Sequence, residues 1–187
     1  MAFTVIYDAC VLYPAPLRDL PIRLASKGLV RARWTDRILD ESFRNILANR
    51  PDLLPGSLDR TRELMNRALR DVLVTGYEGL IEGLNLPDPD DRHVLAAAIR
   101  SGAQVIVTMN LDDFPESALA PFSVEALHPD EFVIHQIDLA PGLVCSVIAE
   151  QAAALKNPRR TVGEVLDSLR GCGLIRSVAR LRELFGP

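Results

Sequence analysis

Neither GxGxxG nor GxxxxGK[ST] occurs in this chain, so no glycine-rich loop is present to cradle a nucleotide phosphate. Cysteine is scarce. Cys10, Cys145 and Cys172 are odd in number and far apart, which excludes a disulfide framework and a CxxC zinc or redox pair. Histidine is scarce too. His93, His128 and His135 form neither HxH nor HExxH, so a histidine-built zinc site is not expected. No apolar run approaches the roughly 18–20 residues that span a bilayer. The first residues lack a basic stretch followed by an apolar one and a small-residue cleavage site. The expectation is a cytoplasmic protein with no membrane contact.

What the 187 residues do contain is enough apolar material, 48%, for a proper core. Net charge is −4, which argues against a simple nucleic-acid-coating protein. Its distribution is uneven. Residues 17–50 hold eight Lys/Arg against four Asp/Glu, and residues 78–131 hold two against eleven, so a basic half precedes an acidic one.

Local patterns point to an α/β domain with a mostly parallel sheet. Residues 3–7 read as a buried strand. Residues 16–27 read as a helix stopped by Gly28, with Pro21 predicting a break or a late start. LVRARW, 29–34, reads as a short strand or link. Thr35 caps a helix to about Asn49, and a further helix is expected from Ser57 to about Val72. Residues 77–84 read as an irregular strand or loop. LPDPDD, 86–91, is a turn. A helix from Arg92 to Arg100 precedes the strand QVIVT, 104–108, and a last strand is expected within 122–127. From about residue 130 the pattern becomes all-helical, and TVGE, 161–164, is a capping box. The expected division is a domain at 1–130 and a helical extension at 131–187. The extension holds seven Lys/Arg against six Asp/Glu, so its charge is nearly balanced.

The chemistry lies in the acids. Asp8 arrives where the first strand ends, and a carboxylate at the edge of an apolar core is costly unless paired. Asp112 and Asp113 follow QVIVT closely. Three of residues 88–91 are Asp, more than a helix N-terminus needs. Glu41 sits near Ile38 on a helix, at the margin of its apolar face. Each has an ordinary account alone: a cap, a loop residue, a surface carboxylate. Strand ends in open parallel sheets, however, line the crevice where sites form. Carboxylates converging there would repel and raise one another's pKa values. A hard divalent cation relieves this, and such a centre suits hydrolysis of phosphate esters.

Four segments, VIYDACVLYP, WTDRILDESFRNI, LPDPDDRHVLAAAI and VIVTMNLDDFP, resemble in this order the PIN-domain ribonucleases, in particular VapC-like toxins. The resemblance covers roughly residues 1–130. It implies an α/β/α sandwich whose acidic quartet binds Mg²⁺ or Mn²⁺ and cleaves RNA. Carried over, the quartet is Asp8, Glu41, Asp91 and Asp113. Asp91 is preferred to Asp90 by its spacing from VLAAAI, and Asp113 to Asp112 by the Asp-Phe that follows Thr108 and Asn110. Thr108 and Asn110 are expected to orient the site, with Asp88 in an outer contact. The resemblance further implies an endoribonuclease toxin silenced by a small antitoxin protein, and a homodimer. The chain is longer than a compact toxin of this kind, which matches a subgroup with a C-terminal helical domain. A housekeeping RNA-processing enzyme and a catalytically silent binding scaffold are the competing readings. Phosphotransfer of the Asp-x-Asp kind is disfavoured, because Cys10 stands where its second Asp would be.

Overall fold

A computed structural model describes residues 2–186. Four short strands form one all-parallel sheet in the order β2-β1-β3-β4: β1 Thr4–Tyr7, β2 Arg31–Arg33, β3 Val105–Val107 and β4 Glu125–Leu127. β1 and β3 are central and buried along their whole length, which is why both read as continuous apolar runs. Ile6 lies opposite Arg33 on one side and Ile106 on the other.

The chain steps outward from β1 to β2, then back past β1 to β3. Right-handed crossovers in these opposite directions put their helices on opposite faces. One crossover carries α1, Ala9–Leu12, and α2, Ala15–Ser26. The other carries α3, Asp36–Asn49, α4, Pro55–Ala68, and α5, Arg92–Ser101. A short α6, Glu116–Leu119, leads into β4. Then come α7, Pro129–Leu139, α8, Pro141–Ala154, α9, Val162–Gly171, and α10, Ile175–Phe185. Tyr7 of β1 meets Phe132 of α7 edge to face, with ring centroids 5.8 Å apart, so α7 covers the face to which Tyr7 points. Among the described residues no helix is long and apolar enough to cross a membrane.

Several local expectations are met by identifiable contacts. Thr35 accepts the Ile38 amide at 3.1 Å and starts α3. Gly102, at φ +63°, ends α5 in the left-handed conformation that glycine tolerates. Both halves of the Thr161–Glu164 capping box form.

Other boundaries shift. α2 runs unbroken through Pro21, whose ring is buried while the rest of the helix keeps its turn. α4 begins at Pro55 and stops at Ala68, short of Val72. Its last expected turn is extended instead, because Trp34 donates to the Val72 carbonyl and accepts from the Val74 amide, covering part of the outer edge of β2. Residues Glu78–Gly83 are a 3₁₀ helix, not a strand. The expected strand at 122–127 begins only at Glu125, since Ala120–Phe122 is a 3₁₀ turn ended by Ser123 at φ +56°.

The late helices are tied to the sheet domain by specific bonds. Gln151 of α8 donates to the Pro16 carbonyl at 2.9 Å, and Lys27 pairs with Glu150 at 2.7 Å. Asp130 of α7 accepts the Arg176 and Ser177 amides at 2.9 and 2.8 Å and also the Ser177 hydroxyl. It thus caps α10 from another helix.

Candidate active site

The carboxyl end of β1 sets Asp8 against the start of α1. Its side chain is buried, but each oxygen has a partner. The Ala9 amide donates to Oδ1 at 2.6 Å, and the Thr108 hydroxyl donates to Oδ2 at 2.8 Å. The Cys10 thiol reaches Oδ2 at 3.2 Å. Asp8 also ties its own strand to β3, donating its amide to the Val107 carbonyl at 3.1 Å. These bonds remove the cost of a buried carboxylate and fix its direction.

Thr108 is itself fully buried at the end of β3. Its hydroxyl accepts the Asn110 amide at 3.0 Å while donating to Asp8. Asn110 therefore contributes its backbone to this network. Cys10 has a part that residue-by-residue reading did not find. Its sulphur accepts the Met109 amide at 3.2 Å and links the ends of β1 and β3. Burial first, and then the charge of Asp8, push the thiol up to about 12, so it stays protonated and donates. Only the spacing of Cys10 from Asp8 carried a hint of this.

Glu41 projects from the middle of α3. His93 Nε2 lies 3.1 Å from its Oε1, and Arg37 Nε donates to the same oxygen at 3.3 Å. Burial alone would raise the Glu41 pKa. The His93 and Arg37 contacts outweigh that and hold it below the ordinary value. Arg37 also reaches the Asp90 carbonyl at 3.4 Å, joining α3 to the turn before α5. His93 is buried in the first turn of α5, two residues after Asp91. Sequence reasoning used it only to argue against zinc and missed its contact with Glu41. The missing signal was spatial, because Glu41 and His93 lie 52 residues apart.

Asp91 and Asp113 complete the set. Asp88 accepts the Asp90 amide at 2.8 Å and starts the 3₁₀ turn that delivers Asp91 to the head of α5. The Asp91 carboxyl is pushed up to about 7, by burial first, then by the charges of Asp8, Asp113, Asp88 and Glu41. The charges of four carboxyl groups, from β1, α3, the 86–91 turn and the loop after β3, thus act on Asp91. Asp113 is half-buried on a 3₁₀ turn, whereas Asp112 beside it is exposed.

The cluster is open rather than tight. Among the described residues no three His, Cys, Asp or Glu side chains stand close enough to grip a bare ion. That arrangement still fits Mg²⁺ or Mn²⁺. Such ions take oxygen donors, and Mg²⁺ in particular keeps several waters and binds one or two carboxylates directly. The side chains offered are carboxylates, and the Cys10 sulphur beside them is already engaged with Asp8 and the Met109 amide.

Residues 4–112 match the family model described as PIN domain, and residues 129–183 match the model described as VapC50 C-terminal domain. A relative named "Putative ribonuclease VapC50", from Mycobacterium tuberculosis, is 44% identical over 110 residues. That alignment spans 59% of this chain and 64% of the relative, so less than two thirds of the relative's length is covered. No solved structure matches the chain. The parallel sheet, the order of its acidic segments and a family match over more than half its length agree: the chain belongs to the PIN-domain family, as a VapC-like member with a helical C-terminal extension.

Proposed function

We propose that the chain is a Mg²⁺- or Mn²⁺-dependent endoribonuclease acting through Asp8, Glu41, Asp91 and Asp113, and that it is the toxin of a type II toxin–antitoxin pair. In this reading residues 1–130 are the nuclease domain and 131–187 a helical extension. The observation that carries it is Asp8 fixed at the end of β1 by the Ala9 amide and the Thr108 hydroxyl, with Asp113, Asp88 and Glu41 near enough that burial, and then their charges and that of Asp8, push the Asp91 carboxyl up. Such convergence destabilises a fold unless a cation relieves it, and catalytic centres are where pKa values are displaced this far.

When bound, the cation supplies Lewis-acid activation of water and stabilises charge on the leaving oxygen. The chain's residues do the rest. Asp8, locked by the Ala9 amide and the Thr108 hydroxyl, presents carboxylate oxygen in one fixed direction. His93 and Arg37 keep Glu41 ionised and in place. Asp91, whose carboxyl is pushed up to about 7, would help to hold the cation, and its ionised form would be favoured there. Asp88 lies outside the four as a contact through water. The exposed Arg37 guanidinium is the cation best placed to meet a phosphate oxygen beside Glu41. An antitoxin segment laid over this end would need basic side chains to answer the acids, and an Arg suits that geometry.

The test is incubation of purified protein, free of partners, with total RNA and Mn²⁺ or Mg²⁺, beside EDTA and Asp8→Ala controls. Cleavage lost in both controls is expected. The openness of the carboxylate cluster favours one competing reading, a silent scaffold. A folded protein whose melting temperature does not respond to Mn²⁺ would decide for that reading.

A further inference from the structure

We infer that the outer edge of β2 holds a second phosphate-binding site for the RNA strand, formed by Arg31, Arg33 and Arg70; this rests on the nuclease reading above. Arg31 and Arg33 are alternate residues of a three-residue strand and so emerge on the same side. Arg70 follows α4, just before Asp71 turns the chain at φ +53°. The three line one hollow of about 470 Å³, together with Gly28, Ala32 and Asp71.

Their charge is unanswered. No carboxylate among the described residues, Asp71 included, lies within 4.0 Å of any of the three guanidinium groups. An arginine without an acidic partner is common in this molecule, since only seven of the nineteen have one among the described residues. What sets Arg31, Arg33 and Arg70 apart is that all three line one hollow. Acids outnumber bases over the whole chain, 25 to 21, yet no acid among the described residues answers this group of three.

The backbone adds a donor. The Arg31 amide donates to the Phe3 carbonyl. Alternation along a parallel strand therefore turns the Ala32 amide the other way, toward the outer edge. A neutral extended peptide is a poor occupant, because Trp34 already uses its outward groups on Val72 and Val74. One free residue is too short for an added strand. Three cations and one amide suit a tetrahedral anion instead. Arg33 lies opposite Ile6, two residues before Asp8. Arg31 lies opposite Thr4, four residues before Asp8. The hollow thus begins about 7 Å back along the strand direction from Asp8, reaches about 13 Å back at Arg31, and is displaced toward the sheet edge. A single RNA strand can occupy both places.

The experiment measures binding of a short fluorescent single-stranded RNA by anisotropy in EDTA, where no cleavage occurs. Wild type is compared with the triple variant Arg31→Ala, Arg33→Ala, Arg70→Ala and with the triple Lys variant. Removing three phosphate contacts should cut the slope of log affinity against log salt by about 2. Wild type would then lose roughly 15-fold more affinity than the Ala variant between 50 and 200 mM salt. The Lys variant should restore the slope, and circular dichroism should show all three proteins equally folded. Cleavage by a wild type whose affinity and slope match the Ala variant's would overturn the inference and leave the nuclease standing. RNA binding that needs the arginines, without cleavage under Mn²⁺, would do the reverse. No RNA binding by wild type, or loss of poly-glutamate binding alone in the Ala variant, would also overturn the inference, the latter in favour of an acidic protein partner.

Discussion

Replacing Asp130 by Ala tests how the late helices α7 and α10 are held to one another. Asp130 is buried in α7 and takes three donors at the head of α10: the Arg176 amide, the Ser177 amide and the Ser177 hydroxyl. Burial alone would raise its pKa. Those bonds, led by Ser177, outweigh it and hold the carboxyl below its ordinary value. A hydrogen bond to a charged group contributes about 1.5–3 kcal/mol, and a lost N-cap costs about 1. The three bonds share one carboxylate and do not add fully. A net loss of about 3–4 kcal/mol is expected for Asp130→Ala. At 2–4 °C per kcal/mol for a chain of this size, the melting temperature should fall by about 10 °C.

The same pair of proteins gives a pH signature. The folded pKa of Asp130 is depressed, so its contribution is complete above the unfolded value of about 3.9 and disappears as pH falls through the folded one. Urea unfolding from pH 7 to pH 3 should therefore show wild type and Asp130→Ala converging as pH falls below about 4. The functional consequence is local. The α9–α10 turn brings Gly173 against Met109, whose amide holds the Cys10 sulphur beside Asp8. Cleavage by Asp130→Ala should fall along with stability. A melting point within about 2 °C of wild type, with parallel pH curves, would refute the reasoning.

Other outcomes follow from the carboxylate cluster. Asp91→Asn should melt higher than wild type in EDTA at pH 8, lose the Mn²⁺-induced rise in melting temperature, and lose cleavage. In metal-free wild type, Asp91 binds its proton more tightly folded than unfolded. Its contribution to stability should therefore grow as pH falls from about 7 to about 4, a trend that titration of unfolding would show absent from Asp91→Asn. Arg37→Ala should cut kcat/KM by about tenfold through lost phosphate contact, yet shift melting little, because half-exposed ion pairs contribute 1 kcal/mol or less. Asp113→Asn should abolish cleavage where Asp112→Asn leaves most of it, a contrast read directly on a gel.

Much of this architecture is legible in the chain because the cues are local. β1 and β3 are short, apolar and β-branched, and Thr35, Gly102 and the 161–164 capping box mark helix ends by their own chemistry. The boundaries that shifted depend on contacts distant in sequence. The 69–74 segment has helical spacing, but it straightens because Trp34, some forty residues earlier, offers an edge to pair with. Leu73, which fits that helical pattern, remains exposed.

The acids divide in the same way. Their residue types and positions at strand ends are written in the sequence, but their supports are not. Thr108, one hundred residues from Asp8, supplies the hydroxyl that makes a buried carboxylate affordable. His93 looks like a core histidine within an alanine-rich helix until α3 sets Glu41 against it. Cys10 looks like a small apolar residue until β3 brings the Met109 amide to its sulphur. A carboxylate can be recognised by its place on a strand, because topology alone carries strand ends to one edge. The groups that orient it come from whichever element packs there, so they become visible only when the helices and the sheet are assembled. The same holds for the extension: nothing in α9 or α10 announces a link to the site, yet their connecting turn rests on the residue that follows Thr108.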